Sequence, residues 1–462
     1  MAVTPAFPLE LFRSRRAEVL RRMRASGGGV MVLPGMPVAR RNGDADHPYR
    51  ADSDLFWLTG FEEPEAVAIL SAGGEQPLTL FVRPRDKERE IWNGRRAGLD
   101  GAAKAFGADR AFDIAALDAE LPKLLKGAPA LWYRLGGFDE AFDLRIGRTL
   151  STMRMRARAA GSPPSRIEDP AQILHELRLK KDPAELQSLR KAVELTRRGH
   201  LAAMAAGKPG AHEYELQALL EREFRGGGGR GWGYYPIVAA GANATVLHYH
   251  ENSDPIRDGD LVLIDSGAEA DLYTADVTRT FPSSGRFTPA QLKAYEVVLA
   301  AADQAIAATR PGVTIDGLHE LTIGSLTAGM VALGLLHGEV EALVRDGAYR
   351  RYYMHRTSHW LGLDVHDAGS YRGPDGSARP LEPGMVFTIE PGLYVDPEDA
   401  SAPPGLRGLG IRIEDDILVT DGGHENLTAA IPRTVAEVEA ACSRGQDARQ
   451  PAATLPSRPS RP

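Results

Sequence analysis

The sequence has a single cysteine and no long apolar run. Because Cys442 is the only cysteine among 462 residues, a disulfide within the chain is impossible, and neither a thiolate metal site nor a cysteine nucleophile is favoured. No stretch of about 18 apolar residues occurs, so no transmembrane helix is expected. The N-terminal segment lacks the apolar core of a secretory signal. A cytoplasmic location is therefore expected.

The chain also lacks an excess of positive charge. It has 55 Lys and Arg residues against 62 Asp and Glu residues, and its formal net charge is −7 at pH 7. Nucleic-acid-binding domains are usually basic, so nucleic acid is not expected as a partner. A membrane is not expected as a partner either, because the chain has no long apolar run. The segment GGGGR at 226–230 lacks the Gly-Lys-Ser/Thr ending of a P-loop, and we interpret it as a flexible loop after a helix.

The length of the chain predicts two or three domains. Over its first part, strand and helix patterns alternate, which indicates an α/β domain at 1–165. The segment GSPPS at 161–165 is predicted to be a linker, because paired prolines stiffen the chain and end helices. The later strand-rich pattern predicts an α+β domain at 170–440, built around a curved antiparallel sheet. The Pro-, Arg- and Ser-rich tail at 441–462 is predicted to be disordered.

Four carboxylates lie in or directly after apolar strand-like segments. Asp265 ends LVLID, Asp276 lies in TADVTRTF, Glu390 ends MVFTIE, and Glu414 lies in GIRIEDD. A buried carboxylate without a partner is costly, so these groups should be protonated, paired or bound to metal. Turn capping by the two aspartates, and a buried ion pair between Arg412 and Glu414, stay open as structural alternatives.

Three histidines form a second cluster. His355, His359 and His366 fall within twelve residues, among apolar neighbours. Histidine is a common metal ligand and a proton shuttle near neutral pH, although each of these side chains could also have a purely structural role. Carboxylates combined with imidazoles suit Mn²⁺, Co²⁺ or Zn²⁺ better than a soft metal. Shared carboxylates can hold two such ions about 3.5–4 Å apart.

Five separated motifs resemble those of one family, in the same order. They are LHYHEN, LVLIDSGAEADLYTADVTRTFP, HRTSHWLGLDVHD, LEPGMVFTIEPGLY and GIRIEDDILVT. They are similar to the motifs of the aminopeptidase P (Xaa-Pro aminopeptidase) family of pita-bread metallopeptidases. The resemblance extends through DSDLFWLTGFEEPEAV and EIWNGRRAG and covers most of residues 10–435. It implies a pita-bread catalytic domain preceded by an aminopeptidase P-type domain.

The resemblance also implies roles for individual residues. The implied metal ligands are Asp265, Asp276, His359, Glu390 and Glu414, which would hold two divalent ions, with Mn²⁺ preferred over Co²⁺ or Zn²⁺. The implied catalytic residues are His248, His366 and Glu390. The implied substrate-binding residues are His355, Trp92, Tyr394 and Arg412. Trp92 can come from a neighbouring subunit in this family, and His250 is interpreted as structural.

The implied reaction is hydrolysis of the bond between an N-terminal residue and a following proline, by a hydroxide that bridges two metal ions. Peptides with proline at the second position are the expected partners, and a homodimer or homotetramer is expected. Prolidase, which cleaves only Xaa-Pro dipeptides on the same scaffold, is the alternative. Methionine aminopeptidase is less favoured because of the large first domain. A non-catalytic binding module is less favoured because all five ligands are present.

Overall fold

The computed structural model describes residues 5–137 and 139–443, which divide into two compact units. The first unit ends at Arg178, and the second begins at Leu179. The proposed linker at 161–165 lies before this division, because the strand that follows it, Arg166–Glu168, still pairs with Ala130–Trp132 in the first unit. Residues 444–462, most of the proposed tail, lie outside the described residues.

The first unit is built on a mixed six-stranded sheet. Its order is Arg110–Asp113, Leu78–Val82, Val67–Ser71, Val30–Pro34, Ala130–Trp132 and Arg166–Glu168, and a separate hairpin joins Arg40–Asn42 to Ala45–Asp46. The helices are Leu9–Ala25, Ser53–Thr59, Lys87–Asn93, Gly98–Lys104, Leu117–Leu125, Glu140–Met155, Ala157–Ala160 and Ala171–Arg178. Apolar side chains of two of these helices, including Leu121 and Ile146, pack against strand residues such as Val32 and Ile69. The predicted α/β class is confirmed.

The second unit combines short antiparallel sheets with long helices, which confirms the predicted α+β class. Its strands are Gly231–Trp232, Ile237–Ala240, Leu261–Asp265, Ala268–Ala270, Tyr273–Thr274, Thr278–Pro282, Val386–Ile389, Gly392–Tyr394, Gly410–Arg412, Asp415–Thr420 and Gly423–Asn426. Its helices are Pro183–Ala206, Glu213–Gly226, Pro289–Ala308, Ile315–Ala332, Val340–Arg345 and Val435–Ser443. Among the helices that the structure describes, none has both the length and the apolarity to span a membrane.

The helix Pro183–Ala206 begins where its sequence signals predict. The Asp182 side chain accepts hydrogen bonds from the backbone N–H groups of Ala184 and Glu185, and the Glu185 carboxylate accepts one from the Asp182 N–H. These reciprocal hydrogen bonds satisfy backbone N–H groups that have no acceptor within the first turn of the helix. Pro183 has no backbone N–H group and therefore needs no acceptor. The helix then buries Leu189, Val193 and other apolar side chains against the strands of the second unit.

A buried arginine ties the central strands of the second unit together. Arg279 is fully buried, and its Nη2 lies 2.7 Å from Asp415 Oδ1. Nη2 also donates to the Ile431 carbonyl, Nε donates to the Pro432 carbonyl, and Nη1 donates to the carbonyls of Thr278 and Glu414. The strand Thr278–Pro282 is thereby fastened to the chain on either side of the strand Asp415–Thr420.

Replacing Arg279 with Met should lower the free energy of unfolding of the second unit by about 3–5 kcal/mol, because Asp415 would keep a buried charge without its main partner. The matched control is Arg190→Met, which breaks the exposed pair with Glu425 and should cost less than about 1 kcal/mol. Urea unfolding followed by near-UV circular dichroism measures both losses. Equal, small losses would show that the buried pair does not hold these strands together.

Candidate metal centre

Two antiparallel strands bring the aspartates together. Asp265 ends the strand Leu261–Asp265 and lies opposite Thr278 in the neighbouring strand, so Asp276 falls beside it just before that strand begins. The Tyr234 hydroxyl lies 2.6 Å from Asp265 Oδ1 and also hydrogen-bonds Asp276 Oδ1. A Cβ at Gly267 would lie 1.7 Å from the Ala275 carbonyl oxygen. The turn between the aspartates therefore requires glycine.

A second set of backbone hydrogen bonds places His359 beside the glutamates. The Thr388 N–H donates to the His359 carbonyl at 2.9 Å, and the Glu390 N–H donates to the Thr357 carbonyl at 2.8 Å. The Nε2 atom of His359 lies 3.2 Å from Asp276 Oδ2, 3.5 Å from Glu390 Oε1 and 4.0 Å from Glu414 Oε1. One donor atom each from Asp276, His359 and Glu414 fall within 4.8 Å of one another.

The orientation of the His359 ring suits metal binding. Its Nδ1 lies 3.0 Å from the Trp360 carbonyl oxygen, which can only accept a hydrogen bond, so Nδ1 carries a hydrogen. In the neutral ring the lone pair is then on Nε2, the atom that faces the carboxylates. A backbone carbonyl that fixes the tautomer in this way is a common partner of a metal-bound histidine.

The electrostatics of the cluster favour a cation at its centre. Burial raises the pKa of Glu390 to about 7, and burial with repulsion from Asp276 and Glu390 raises the pKa of Glu414 well above its usual range. Burial opposes the charging of His359, but the hydrogen bond with Asp276 and the charge of Glu390 raise its pKa to about 9. Protons thus compensate the crowded negative charge. A divalent cation would do so more fully, and these oxygen and nitrogen donors fit one.

Arg412 pairs with an aspartate rather than with the glutamate suggested by the strand pattern. Its Nη2 lies 2.6 Å from Asp265 Oδ2, and its Nε donates to the Thr278 hydroxyl at 3.0 Å. That hydroxyl donates to Glu414 Oε2 at 2.7 Å. The chain between the strands Gly410–Arg412 and Asp415–Thr420 departs from regular alternation, so Arg412 reaches Glu414 only through Thr278.

His355 is held by a chain of hydrogen bonds that begins at Arg412. Arg412 Nη1 donates to the Tyr394 hydroxyl at 3.0 Å, and that hydroxyl lies 2.8 Å from His355 Nε2. His355 Nδ1 donates to the Arg356 carbonyl at 2.8 Å. Burial is the largest cause that lowers the pKa of His355 to about 4, and the positive charge of Arg412 is the second cause. This ring is therefore neutral at pH 7, with a fixed tautomer.

A cavity of about 750 Å³ opens onto this cluster. The proposed site residues that line it are His248, Asp265, Asp276, His355, His359, His366, Glu390, Arg412 and Glu414. Tyr394 lies behind His355 and is not among the lining residues. His250, interpreted from the sequence as structural, does line the cavity, and its ring stacks 6.2 Å from that of His248. Trp92 belongs to the first unit, where it is 86% exposed.

His366 lies against the metal-ligand candidate His359. Their ring centroids are 4.4 Å apart in an edge-to-face arrangement. Burial, together with the positive charge of His359, lowers the pKa of His366. A neutral imidazole retains one N–H group, so His366 can donate a hydrogen bond into the cavity at neutral pH.

Several cavity residues were not identified from the sequence. Tyr234 joins the two aspartates, and Tyr235, Tyr371 and Arg356 line the cavity walls. The GWGYYP segment carries the first two, but its tyrosines have no metal-ligand spacing and no strand-end carboxylate. Their role depends on which strand ends the fold places beside them.

Comparisons with known proteins agree with the motif resemblance. Residues 187–421 match the model of metallopeptidase family M24, and residues 12–132 match that of the aminopeptidase P N-terminal domain. The chain is 42% identical to the Xaa-Pro aminopeptidase of Escherichia coli over 431 residues, which are 93% of this chain and 96% of that protein.

Solved structures show the same similarity in three dimensions. The structure of the Pseudomonas aeruginosa aminopeptidase PepP matches with a TM-score of 0.92 and 45% identity, over 96% of this chain and 99% of that one. Zinc-substituted Escherichia coli aminopeptidase P in complex with product matches with a TM-score of 0.90 and 40% identity, over 95% and 99% of the two chains. The chain therefore belongs to metallopeptidase family M24 and has the predicted pita-bread catalytic fold, preceded by an aminopeptidase P-type N-terminal domain.

Proposed function

We propose that this chain is a metal-dependent aminopeptidase that hydrolyses the bond between an N-terminal residue and a following proline. The observation that carries the proposal is the convergence of four carboxylates and the Nε2 atom of His359 at the wall of a peptide-sized cavity. The names of the relatives, Xaa-Pro aminopeptidase and aminopeptidase P, support the same activity.

Asp265, Asp276, His359, Glu390 and Glu414 would hold two divalent ions. Four hard oxygen donors with one imidazole favour Mn²⁺, with Co²⁺ or Zn²⁺ as alternatives. When bound, these ions supply Lewis acidity, which polarises a carbonyl group and lowers the pKa of water. Arg412 and Tyr234 orient Asp265 for this role, because each holds one of its carboxylate oxygens.

Glu390 is positioned to move a proton between water and the leaving nitrogen. Its Oε1 faces His359 Nε2 at 3.5 Å, and its Oε2 lies 3.7 Å from His355 Nδ1. The carboxylate thus lies between the ligand cluster and the wall assigned to the substrate's proline. A base that accepts the proton of the attacking water can return it to the proline nitrogen as that bond breaks.

His366 and His248 would stabilise charge on the substrate. Both line the cavity beside the ligand cluster. The neutral His366 can donate a hydrogen bond to the oxyanion that forms as the scissile carbonyl becomes tetrahedral. Fixed donors at that position lower the barrier because they bind the transition state more tightly than the ground state. His248 would donate to the same carbonyl before attack.

Recognition of proline is assigned to side chains that contact its ring. The bond before proline has no N–H group, so a groove that depends on that donor cannot select it. His355, held by Tyr394 and Arg412, presents a neutral ring to the cavity. Trp92 would add an aromatic face if a homo-oligomer brought it to the site of a neighbouring subunit. The oligomer and the cytoplasmic location stay predictions.

The peptide specificity is tested with Ala-Pro-Ala, Ala-Ala-Ala and the dipeptide Ala-Pro, with free alanine measured by chromatography. In the presence of Mn²⁺ we expect release from Ala-Pro-Ala to exceed release from Ala-Ala-Ala by at least about tenfold, since proline-ring contacts should dominate selection. Cleavage confined to Ala-Pro would establish the prolidase alternative instead. An Asp265→Ala preparation purified identically controls for contaminating peptidases.

Replacing Glu414 with Ala should remove metal and turnover together. Glu414 is 2% exposed, and one of its oxygens lies within 4.8 Å of a donor atom of Asp276 and of His359. We expect the metal content, measured by plasma mass spectrometry after gel filtration, to fall from about two ions per chain to one or none. The control is Glu382→Ala, which removes an exposed carboxylate paired with Lys180. Full metal content in the Glu414 variant would contradict the ligand assignment.

The stability of the metal-free protein should fall as the pH rises. The folded-state pKa of Glu390 is about 7 against an ordinary 4.5, and that of His359 is about 9 against 6.5. The folded cluster therefore binds protons more tightly than the unfolded chain, and this stabilisation is lost as pH rises through those ranges.

Adding Mn²⁺ should consequently raise the Tm of chelator-treated protein more at about pH 8 than at about pH 5.5, where protons compete with the ion. Differential scanning calorimetry measures the shift. In the Glu390→Gln variant, the Tm shift caused by Mn²⁺ should differ less between the two pH values. An equal Mn²⁺ shift at both pH values would argue against a proton-stabilised cluster.

A further inference from the structure

One wall of the cavity carries positive charge that the metal cluster does not use. Arg356 lines the cavity, and its Nη2 donates to Asp316 Oδ1 in the first turn of the helix Ile315–Ala332. The other carboxylate oxygen of Asp316 lies 2.8 Å from Arg372 Nη2. Two guanidinium groups thus share one carboxylate, and the cluster of three side chains has a net positive charge.

The guanidinium of Arg356 retains donors that can bind a ligand. Its Nε and Nη1 have no acceptor among the residues that the structure describes, and its side chain is 61% exposed. A guanidinium presents its N–H groups in a planar fork that matches the two oxygens of a carboxylate. The free edge of Arg356 therefore suits a carboxylate that enters the cavity.

The segment that carries Arg356 is held in place. The Thr357 hydroxyl lies 2.7 Å from His319 Nδ1 and 2.7 Å from the Tyr353 hydroxyl. On the other side, the Arg356 carbonyl accepts the Nδ1–H of His355. These hydrogen bonds hold the backbone on both sides of Arg356, and the hydrogen bond to Asp316 orients its guanidinium, which reduces the entropy lost when that group binds a ligand.

We propose that Arg356 binds a carboxylate carried by the substrate residue that follows proline. The inference rests on the proposed function, in which His355 contacts the proline ring. Adjacent residues of an extended peptide are about 3.3–3.6 Å apart along the chain, so a residue beyond proline lies within reach of the side chain next to His355. The carboxylate is either the C-terminus of a tripeptide or an acidic side chain at that position.

Four peptides separate the two sources. Ala-Pro-Ala and Ala-Pro-Ala-amide differ only in the terminal carboxylate, and Ala-Pro-Glu-amide and Ala-Pro-Gln-amide differ only in a side-chain carboxylate. For the metal-loaded protein we expect kcat/KM for the charged member of at least one pair to be roughly 2- to 5-fold higher, as for one partly exposed ion pair. Raising NaCl from about 0.05 M to about 0.5 M should reduce that ratio.

Arg356→Gln should bring the ratio close to one and leave kcat/KM for the neutral peptides nearly unchanged, whereas Arg356→Lys should retain part of it. Arg372→Gln is the matched control, because it removes the same charge from the same partner at a side chain that does not line the cavity. If the native protein prefers neither charged peptide, if the two glutamine variants lose the preference equally, or if Arg356→Gln keeps it, the assignment to Arg356 is overturned. Failure of the native protein to cleave any of the four peptides would instead refute the proposed function.

Discussion

The burial of four carboxylates around one imidazole is the constraint on which the rest of the second unit depends. Like charges at this separation repel, and burial removes the water that would otherwise screen them. Protons relieve part of the repulsion, as the raised pKa values of Glu390 and Glu414 show. Metal ions would relieve more of it. The fold must therefore hold these side chains rigidly, since flexible strands would let the carboxylates move apart and the ligand cluster would be lost.

That support comes from buried polar side chains behind the cluster. Arg279 fastens the strand that follows Asp276 to the backbone at Glu414, and Arg412 holds Asp265. Tyr234 spans both aspartates, so one hydroxyl fixes their separation. Burying these polar groups costs desolvation free energy, but their contacts leave the metal-ligand side chains few alternative positions. Precise ligand geometry is what a metal-dependent hydrolase requires of its scaffold.

Much of the fold and of the ligand set could be predicted because the signals are local. Apolar strand patterns, the capping residues Asp182 and Glu185, and strand-terminal carboxylates such as Asp265 are visible in a few consecutive residues. Other features were not accessible in this way. The strand pattern suggested Glu414 as the partner of Arg412, but a break after the strand Gly410–Arg412 turns the guanidinium towards Asp265, which is 147 positions away in the chain. An interruption of a strand such as this one depends on tertiary packing, so the alternation of polar and apolar residues in the sequence does not predict it.

The sequence by itself determined the two domain classes, the five ligand candidates and the family, because each depends on residue types in ordered motifs. Only the tertiary structure decided which atoms meet. It set the His359 tautomer through the Trp360 carbonyl, made Tyr234 the bridge between the aspartates, and placed Arg356 on the cavity wall. The reason is physical: hydrogen bonds and ion pairs act over a few ångströms, and only the folded chain brings distant segments within that range.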